Sequence, residues 1–269
     1  MQKKVLVTGV ARGIGRAIAE RFLQEGYTLY GTYCKSKEMA YELRARYGEE
    51  RVKLFGAYDF TVIDDVQELL EELKKYSFDN VIFSAGMFPE NEDYDDFNNF
   101  DLMLFENIMN CNFYAPLILA VGLKDHIKEG GSIVIMSSND AYSGAYSSMA
   151  YSISKSALLS LMKCLSVNYG TKGIRVNSVS PGAIDTDMNT VEQMEIAPYF
   201  TPISRAGTPV DVAKVVYFLA SDEASFVSVE NVTIDGGYSI MNILLKSEAD
   251  PILSRAIREF IKKQDSNIN

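Results

Sequence analysis

Tyr151 and Lys155 stand four residues apart in Tyr-Ser-Ile-Ser-Lys, and Ser138 lies thirteen residues upstream of the tyrosine. Residues four apart in a helix share a face one turn apart, so a phenol and an ammonium meet in one place. A free tyrosine has a pKa of about 10. A fixed positive charge beside it favours the phenolate, so Lys155 is expected to lower that value and make Tyr151 a proton donor near neutrality. Carbonyl reduction needs such a group: hydride arrives at carbon, charge develops on oxygen, and a positioned O–H delivers a proton there. Ser138, just past the apolar run Ile133 to Met136, can donate a hydrogen bond to the same oxygen.

A second constellation supplies a place for the hydride donor. Thr8-Gly-Val-Ala-Arg-Gly-Ile-Gly15 separates the apolar run Val5-Leu6-Val7 from a helical pattern of Ile14, Ala17, Ile18, Phe22 and Leu23. A strand, glycine turn and helix in that order form a dinucleotide cradle, with the pyrophosphate on the helix N-terminus. Gly9 permits the tight turn, Gly13 lets backbone approach phosphate, and Gly15 allows close helix packing. NAD-selective sites place an acid about 20 residues further on, at the end of the second strand. Here Tyr33-Cys34-Lys35-Ser36 has none. Arg12, Lys35 and Ser36 are suited to a ribose 2′-phosphate, so NADP(H) is the expected cofactor and NAD(H) the alternative. Lys35 also reads as an ordinary solvated loop lysine.

The elements that must position these groups follow from apolar periodicity. Strand-like runs recur at Val5 to Val7, Thr28 to Thr32, Val52 to Phe55, Val81 to Phe83, Ile133 to Met136, Ile174 to Val179 and Asn231 to Ile234. Helical patterns lie between them, including Asp64 to Tyr76 and a long stretch from about Asp101 to Ile127. The alternation predicts an α/β fold, a doubly wound parallel sheet of Rossmann-like type, as a single domain over residues 1–239. Met87 to Asn99, with Glu90, Glu92, Asp93, Asp95 and Asp96, reads as a solvated acidic loop.

Composition narrows the partners. The 269 residues carry a net charge of −10 without a Lys/Arg run, which argues against nucleic acid and anionic membrane and for small molecules or protein. Cys34, Cys111 and Cys164 show no metal-ligand spacing, so no metal is expected, and each reads as a buried or half-exposed thiol. His126 is the sole histidine, read as a solvated helix-end residue, and a Ser/His/Asp triad has no support around it. A strand begins within four residues of Met1 and no apolar stretch approaches the roughly 20 residues that span a bilayer, so a soluble cytoplasmic protein is expected.

Over about residues 3 to 239 the chain resembles the classical short-chain dehydrogenases/reductases. Thr8-Gly9, Gly13 and Gly15 match the family's glycine turn, and Tyr151 with Lys155 its active-site motif. Asp59 in Tyr-Asp-Phe, Arg175-Val-Asn177-Ser-Val-Ser-Pro181-Gly182, Thr186 and Asp235-Gly-Gly237 match further family positions. The resemblance implies Tyr151 as acid in reduction and base in oxidation. It implies Lys155 on the nicotinamide ribose, Ser138 on the substrate oxygen, and Asn112, in preference to Asn110, holding a relay water. The implied cofactor contacts are Gly9, Arg12, Gly13, Ile14, Gly15, Lys35, Ser36, Asp59, Phe60, Ala85, Gly86, Tyr151, Lys155, Pro181, Gly182, Ile184 and Thr186. Two departures stand out. Phe83-Ser84-Ala85-Gly86 replaces Asn-Asn-Ala-Gly, which removes amides that brace the central strands. Ser228-Val229-Glu230 stands where many members have Thr-Gly, so a local backbone change is expected there.

The segment from Gly182 to Arg205 reads as a lid, and Met188, Met194, Ile196, Tyr199, Phe200 and Ile203 suit a hydrophobic carbonyl or alcohol substrate. The pattern is most similar to 3-oxoacyl-acyl-carrier-protein reductases, which makes an acyl-carrier protein a candidate partner. Lys172 fits one of the basic positions expected beside the site, whereas Glu129 does not. General ketone, sugar or steroid oxidoreductases are the alternative, and a non-catalytic NADP(H)-sensing scaffold a remote one. Residues 240–269 form an extension with a helical signature: Asp250-Pro251 at its start, then a stripe of Ile252, Leu253, Ala256, Ile257, Phe260 and Ile261. The stripe is expected to pack on its own subunit or on a neighbour in a homo-oligomer, a dimer or tetramer by resemblance.

Overall fold

The computed structural model describes residues 2–88, 99–144 and 148–268. The acidic positions from Glu90 to Asp96 lie outside the described residues.

Alternation along the strands builds two cores. In β1 (Lys4–Val7), Leu6 faces one side of the sheet while Val5 and Val7 face the other. The same split in β5 (Ile127–Met136) sends Ile133 and Ile135 one way, Val134 and Met136 the other. Helices cover both faces. On one, α1 (Gly13–Gln24) buries Ile18, Phe22 and Leu23 with Val212, Val216 and Leu219 of α8 (Pro209–Ala220). On the other, α3 (Ile63–Leu73) buries Val66, Leu69, Leu70 and Leu73, the i, i+3, i+4, i+7 stripe of an amphipathic helix. The same core takes Leu158, Leu161 and Leu165 from α6 (Met149–Tyr169). Cutting a side chain such as Leu69 back to Ala should cost about 3 kcal/mol.

Among the described residues seven strands form one sheet, every pair parallel, in the order β3-β2-β1-β4-β5-β6-β7. The remaining strands are β2 (Thr28–Tyr33), β3 (Val52–Gly56), β4 (Phe78–Phe83), β6 (Arg175–Pro181) and β7 (Asn231–Ile234). The strand order reverses between β1 and β4, and a crevice opens there beyond their carboxyl ends. The strand β4 starts earlier than its apolar run because its polar residues have partners. Asn80 Nδ2 donates to Ser132 Oγ and the Ala220 carbonyl at 2.8 Å, and Asp79 accepts from Lys4 N–H at 2.7 Å. His126 is half-buried before β5, its Nδ1 3.0 Å from the Tyr76 carbonyl, rather than solvated at a helix end.

The stretch from Asp101 to Ile127 is not one helix. It comprises α4 (Leu102–Met109), a π-helical turn (Asn110–Tyr114) and α5 (Ala115–Gly122), followed by β5. Pro116 explains the break: it has no N–H to give the carbonyl of Asn112, and the ladder shifts so that Ala115 N–H reaches Asn110 O.

The Arg175 motif locks the distal half. Its buried guanidinium donates to the carbonyls of Leu219, Ala220 and Ser221, capping α8. Asn177 accepts from Glu230 N–H and donates to Val227 O. Between those anchors the backbone at Val229 has φ of +66°, the left-handed conformation that glycine adopts without cost. A β-branched residue is thus strained into a conformation that suits glycine.

Candidate active site

The glycine turn crosses the top of β1 with Gly9 at φ +76°, and its N–H donates to Thr32 O at 3.1 Å. A Cβ at Gly15 would collide with the Gly9 carbonyl oxygen, so only glycine lets α1 start this close to β1. The N-terminus of α1 therefore opens into the crevice. The expected weakness at Ser84 is compensated: Thr8 Oγ1 accepts from both Ser84 and Ala85 N–H at 3.0 Å, tying β1 to the end of β4.

The crevice is a cleft of about 630 Å³. All seventeen sequence-predicted cofactor residues line it, Arg12, Lys35 and Asp59 together with Tyr151, Lys155 and Thr186. Ser138 lines it as well. Asp59 is braced at the end of β3, its Oδ1 accepting from Thr61 N–H and hydroxyl at 3.0 and 2.8 Å. Arg12 sits 3.4 Å from Asp187, both more than half exposed. Such a surface pair is worth little and yields readily to a phosphate.

Tyr151 and Lys155 share the buried face of α6. Lys155 Nζ donates to the Met136 carbonyl at 3.0 Å, and burial lowers its pKa to about 8. The Tyr151 ring meets Phe88 edge-on at 4.9 Å. Contrary to the expectation of a lowered phenol, burial pushes Tyr151 well above its ordinary value, with a hydrogen bond from Ser138 opposing and Asp140 reinforcing the shift. Desolvation of the phenolate dominates.

Asn112 does not line the cleft. It is fully buried behind Gly86, its Oδ1 accepting from Met87 N–H at 2.8 Å while Nδ2 donates to Met87 O and Ser154 Oγ. A Cβ on Gly86 would stand 3.3 Å from both Asn112 Oδ1 and Lys155 Nζ, so a side chain there would crowd the lysine. Asn110 instead donates to the Thr61 carbonyl at 2.9 Å. Lys172 is not beside the cleft: it lies past the far end of α6, paired with Asp125 at 2.8 Å.

Of the apolar lid residues, Met188 and Ile196 line the cleft, the latter from α7 (Val191–Phe200). The Tyr199 hydroxyl donates to Asp250 at 2.5 Å, and Lys246 Nζ lies 4.5 Å from its ring centroid. Those partners belong to the C-terminal segment, α9 (Ile243–Ala249) and α10 (Pro251–Ile268). Asp250 accepts from Ile252 and Leu253 N–H at the start of α10, but Ile252, Phe260 and Ile261 are exposed, so this part of the stripe is uncovered among the described residues. Sequence reading did not single out Phe88, Asp140, Gln193 and Tyr238, all of which line the cleft. Position two after Ser138 was the available signal for Asp140. Cys34 and Cys111 line it too, and burial pushes the Cys111 thiol up to about 12. Among the described residues no helix is long and apolar enough to cross a membrane.

Residues 9–239 match the family model described as enoyl-(acyl carrier protein) reductase. The chain is 32% identical to versicolorin reductase 1 of Aspergillus parasiticus, over 87% of this chain and 95% of that protein. It is likewise 32% identical to the 3-oxoacyl-[acyl-carrier-protein] reductase FabG of Aquifex aeolicus, over 88% and 98%. Its fold superposes on a short-chain dehydrogenase from Burkholderia cenocepacia J2315 in complex with NADP, with a TM-score of 0.80, 30% identity, and coverage of 88% and 97%. The parallel sheet, the glycine turn at its switch point and these matches together place the chain in the short-chain dehydrogenase/reductase family of NAD(P)-dependent oxidoreductases.

Proposed function

We propose that this protein reduces a small-molecule ketone to an alcohol with NADP(H). The observation that carries the reading is one cleft lined by Ser138, Tyr151 and Lys155 and by a glycine cradle with Arg12 and Lys35. The cradle fits a dinucleotide, since side chains at Gly9, Gly15 or Gly86 would occupy or deform it. When bound, NADPH supplies the hydride. Ser138 Oγ then holds the substrate oxygen, and Tyr151 gives it a proton. A phenol with a raised pKa keeps that proton at neutral pH yet still surrenders it to an alkoxide, a far stronger base. Lys155 binds the nicotinamide ribose and, as an ammonium, stabilises the phenolate left behind. A water relay at Asn112 would use its backbone carbonyl, which Pro116 cannot satisfy, because the amide is committed to Met87 and Ser154.

NADP(H) is favoured over NAD(H) because Tyr33 to Ser36 offers no acid for a free 2′-hydroxyl. A 3-oxoacyl thioester is the second reading, favoured by similarity to the Aquifex aeolicus enzyme. The distance of Lys172 from the cleft removes one argument for a carrier protein. The test is NADPH and NADH oxidation measured with free ketones, 3-oxoacyl thioesters and carrier-bound thioesters. Turnover of free ketones with NADPH supports the reading. Strict dependence on the carrier-bound form moves the protein to the second, and NADPH binding without any turnover defeats both.

A further inference from the structure

We infer that Asp140 is a specificity residue that selects ketones bearing a hydroxyl group on the carbon next to the carbonyl. The inference rests on the reading of the cleft as a ketone-reducing site. Asp140 lies in the 3-10 turn Asn139–Ala141 and lines the cleft together with Ser138 and Tyr151. Its backbone is fixed on two sides: its N–H donates to Ser138 Oγ at 3.2 Å, and its carbonyl accepts from Ser152 Oγ at 3.0 Å. Ser152 follows Tyr151 directly, so the turn is registered against both groups that would hold the substrate oxygen.

The half-buried carboxylate lacks a charge partner: among the described residues no cation lies within salt-bridge distance of it. Burial raises its pKa, and its interaction with the Ser138 hydroxyl opposes the rise. A partly desolvated carboxylate is costly unless donors reach it, and an ionised one is acceptor-only. The one proton of the Ser138 hydroxyl has Asn139 Oδ1 in reach at 3.3 Å and turns to the substrate carbonyl when one is bound, so Asp140 needs a donor from elsewhere. A hydroxyl on the adjacent carbon lies beside the carbonyl oxygen, so a substrate seated on Ser138 and Tyr151 brings its O–H to this carboxylate. A plain ketone leaves the acceptor unmatched, and an anionic substituent is repelled.

The experiment compares kcat/KM for 2-hydroxycyclohexanone and cyclohexanone with NADPH, in the wild type and in Asp140→Asn and Asp140→Ser. The wild type should prefer the hydroxyketone by about tenfold or more, and both variants should lower that ratio by about tenfold. NADPH affinity and Tm report whether each variant folds, and the wild-type ratio is decisive even if neither does. Equal use of both ketones by the wild type, or an unchanged ratio in a folded variant, overturns the role of Asp140 while leaving the ketone-reductase reading in place. No reduction of either ketone overturns this inference, and no reduction across the wider ketone and thioester panel overturns the reading beneath it.

Discussion

Lys155 Nζ lies 5.4 Å from the centroid of the Tyr151 ring while donating its hydrogen bond to the Met136 carbonyl at 3.0 Å. The lysine is thus held over its partner by the last residue of β5, and both groups are removed from water. Helix register brings the pair together, and burial sets their ionisation.

Tyr151→Phe removes the proposed proton donor and keeps the ring against Phe88. Turnover should fall by about 10²–10⁴-fold, with NADPH affinity within a few-fold of wild type. Steady-state kinetics and fluorescence titration of NADPH check this, and activity near wild type would defeat the assignment.

Lys155 has a pKa lowered from 10.5 to about 8 by burial, so between those values the unfolded chain binds more protons than the folded one. Stability without cofactor should therefore rise with pH from about 8 towards 10, where the raised Tyr151 begins to act in the opposite sense. In Lys155→Met this contribution vanishes. At pH 7 the variant gains about 3 kcal/mol from losing the buried charge and loses about 1 with the hydrogen bond to Met136. Urea unfolding of both proteins from pH 7 to 10 should show a gap of about 2 kcal/mol that closes as pH rises.

Val229 is 43% exposed and held at φ +66°. Val229→Gly relieves strain of about 1–2 kcal/mol and gives up little burial, so urea unfolding should show a net gain of about 1 kcal/mol. A loss of stability would mean that the valine side chain contributes more by packing than its backbone costs.

Arg12 and Lys35 line the cleft and are suited to a 2′-phosphate. Replacing both with Ala should raise the KM for NADPH by about tenfold or more and affect that for NADH far less. Equal changes for the two cofactors would mean that neither residue reads the phosphate.

Tyr199 ties α7 to the C-terminal segment through Asp250 and Lys246. Truncation after Leu245 removes both partners and should loosen α7, which carries Gln193 and Ile196 at the cleft wall. The ketone KM should rise several-fold. If KM and assembly size, the latter from light scattering, are both unchanged, the segment has no part in the site.

Local signals in the chain were enough to determine the alternation of strand and helix, the glycine turn and the Tyr151/Lys155 pair. Val66, Leu69, Leu70 and Leu73 announce their helix by spacing alone, and the spacing that makes Gly15 obligatory is written within eight residues. Pro116 marks the helix break, yet its consequence for Asn112 needs the neighbouring Met87 and Ser154, which are distant in sequence. Tertiary structure also decided the ionisation of Tyr151 and Lys155, because desolvation depends on what surrounds a group rather than on what stands four residues away. It placed Lys172 beyond the far end of α6, kept Val229 in a glycine's conformation through the anchors at Asn177, and set Asp140 beside Ser138 in the cleft. Periodicity is a property of the segment; burial and partnership are properties of the packed whole.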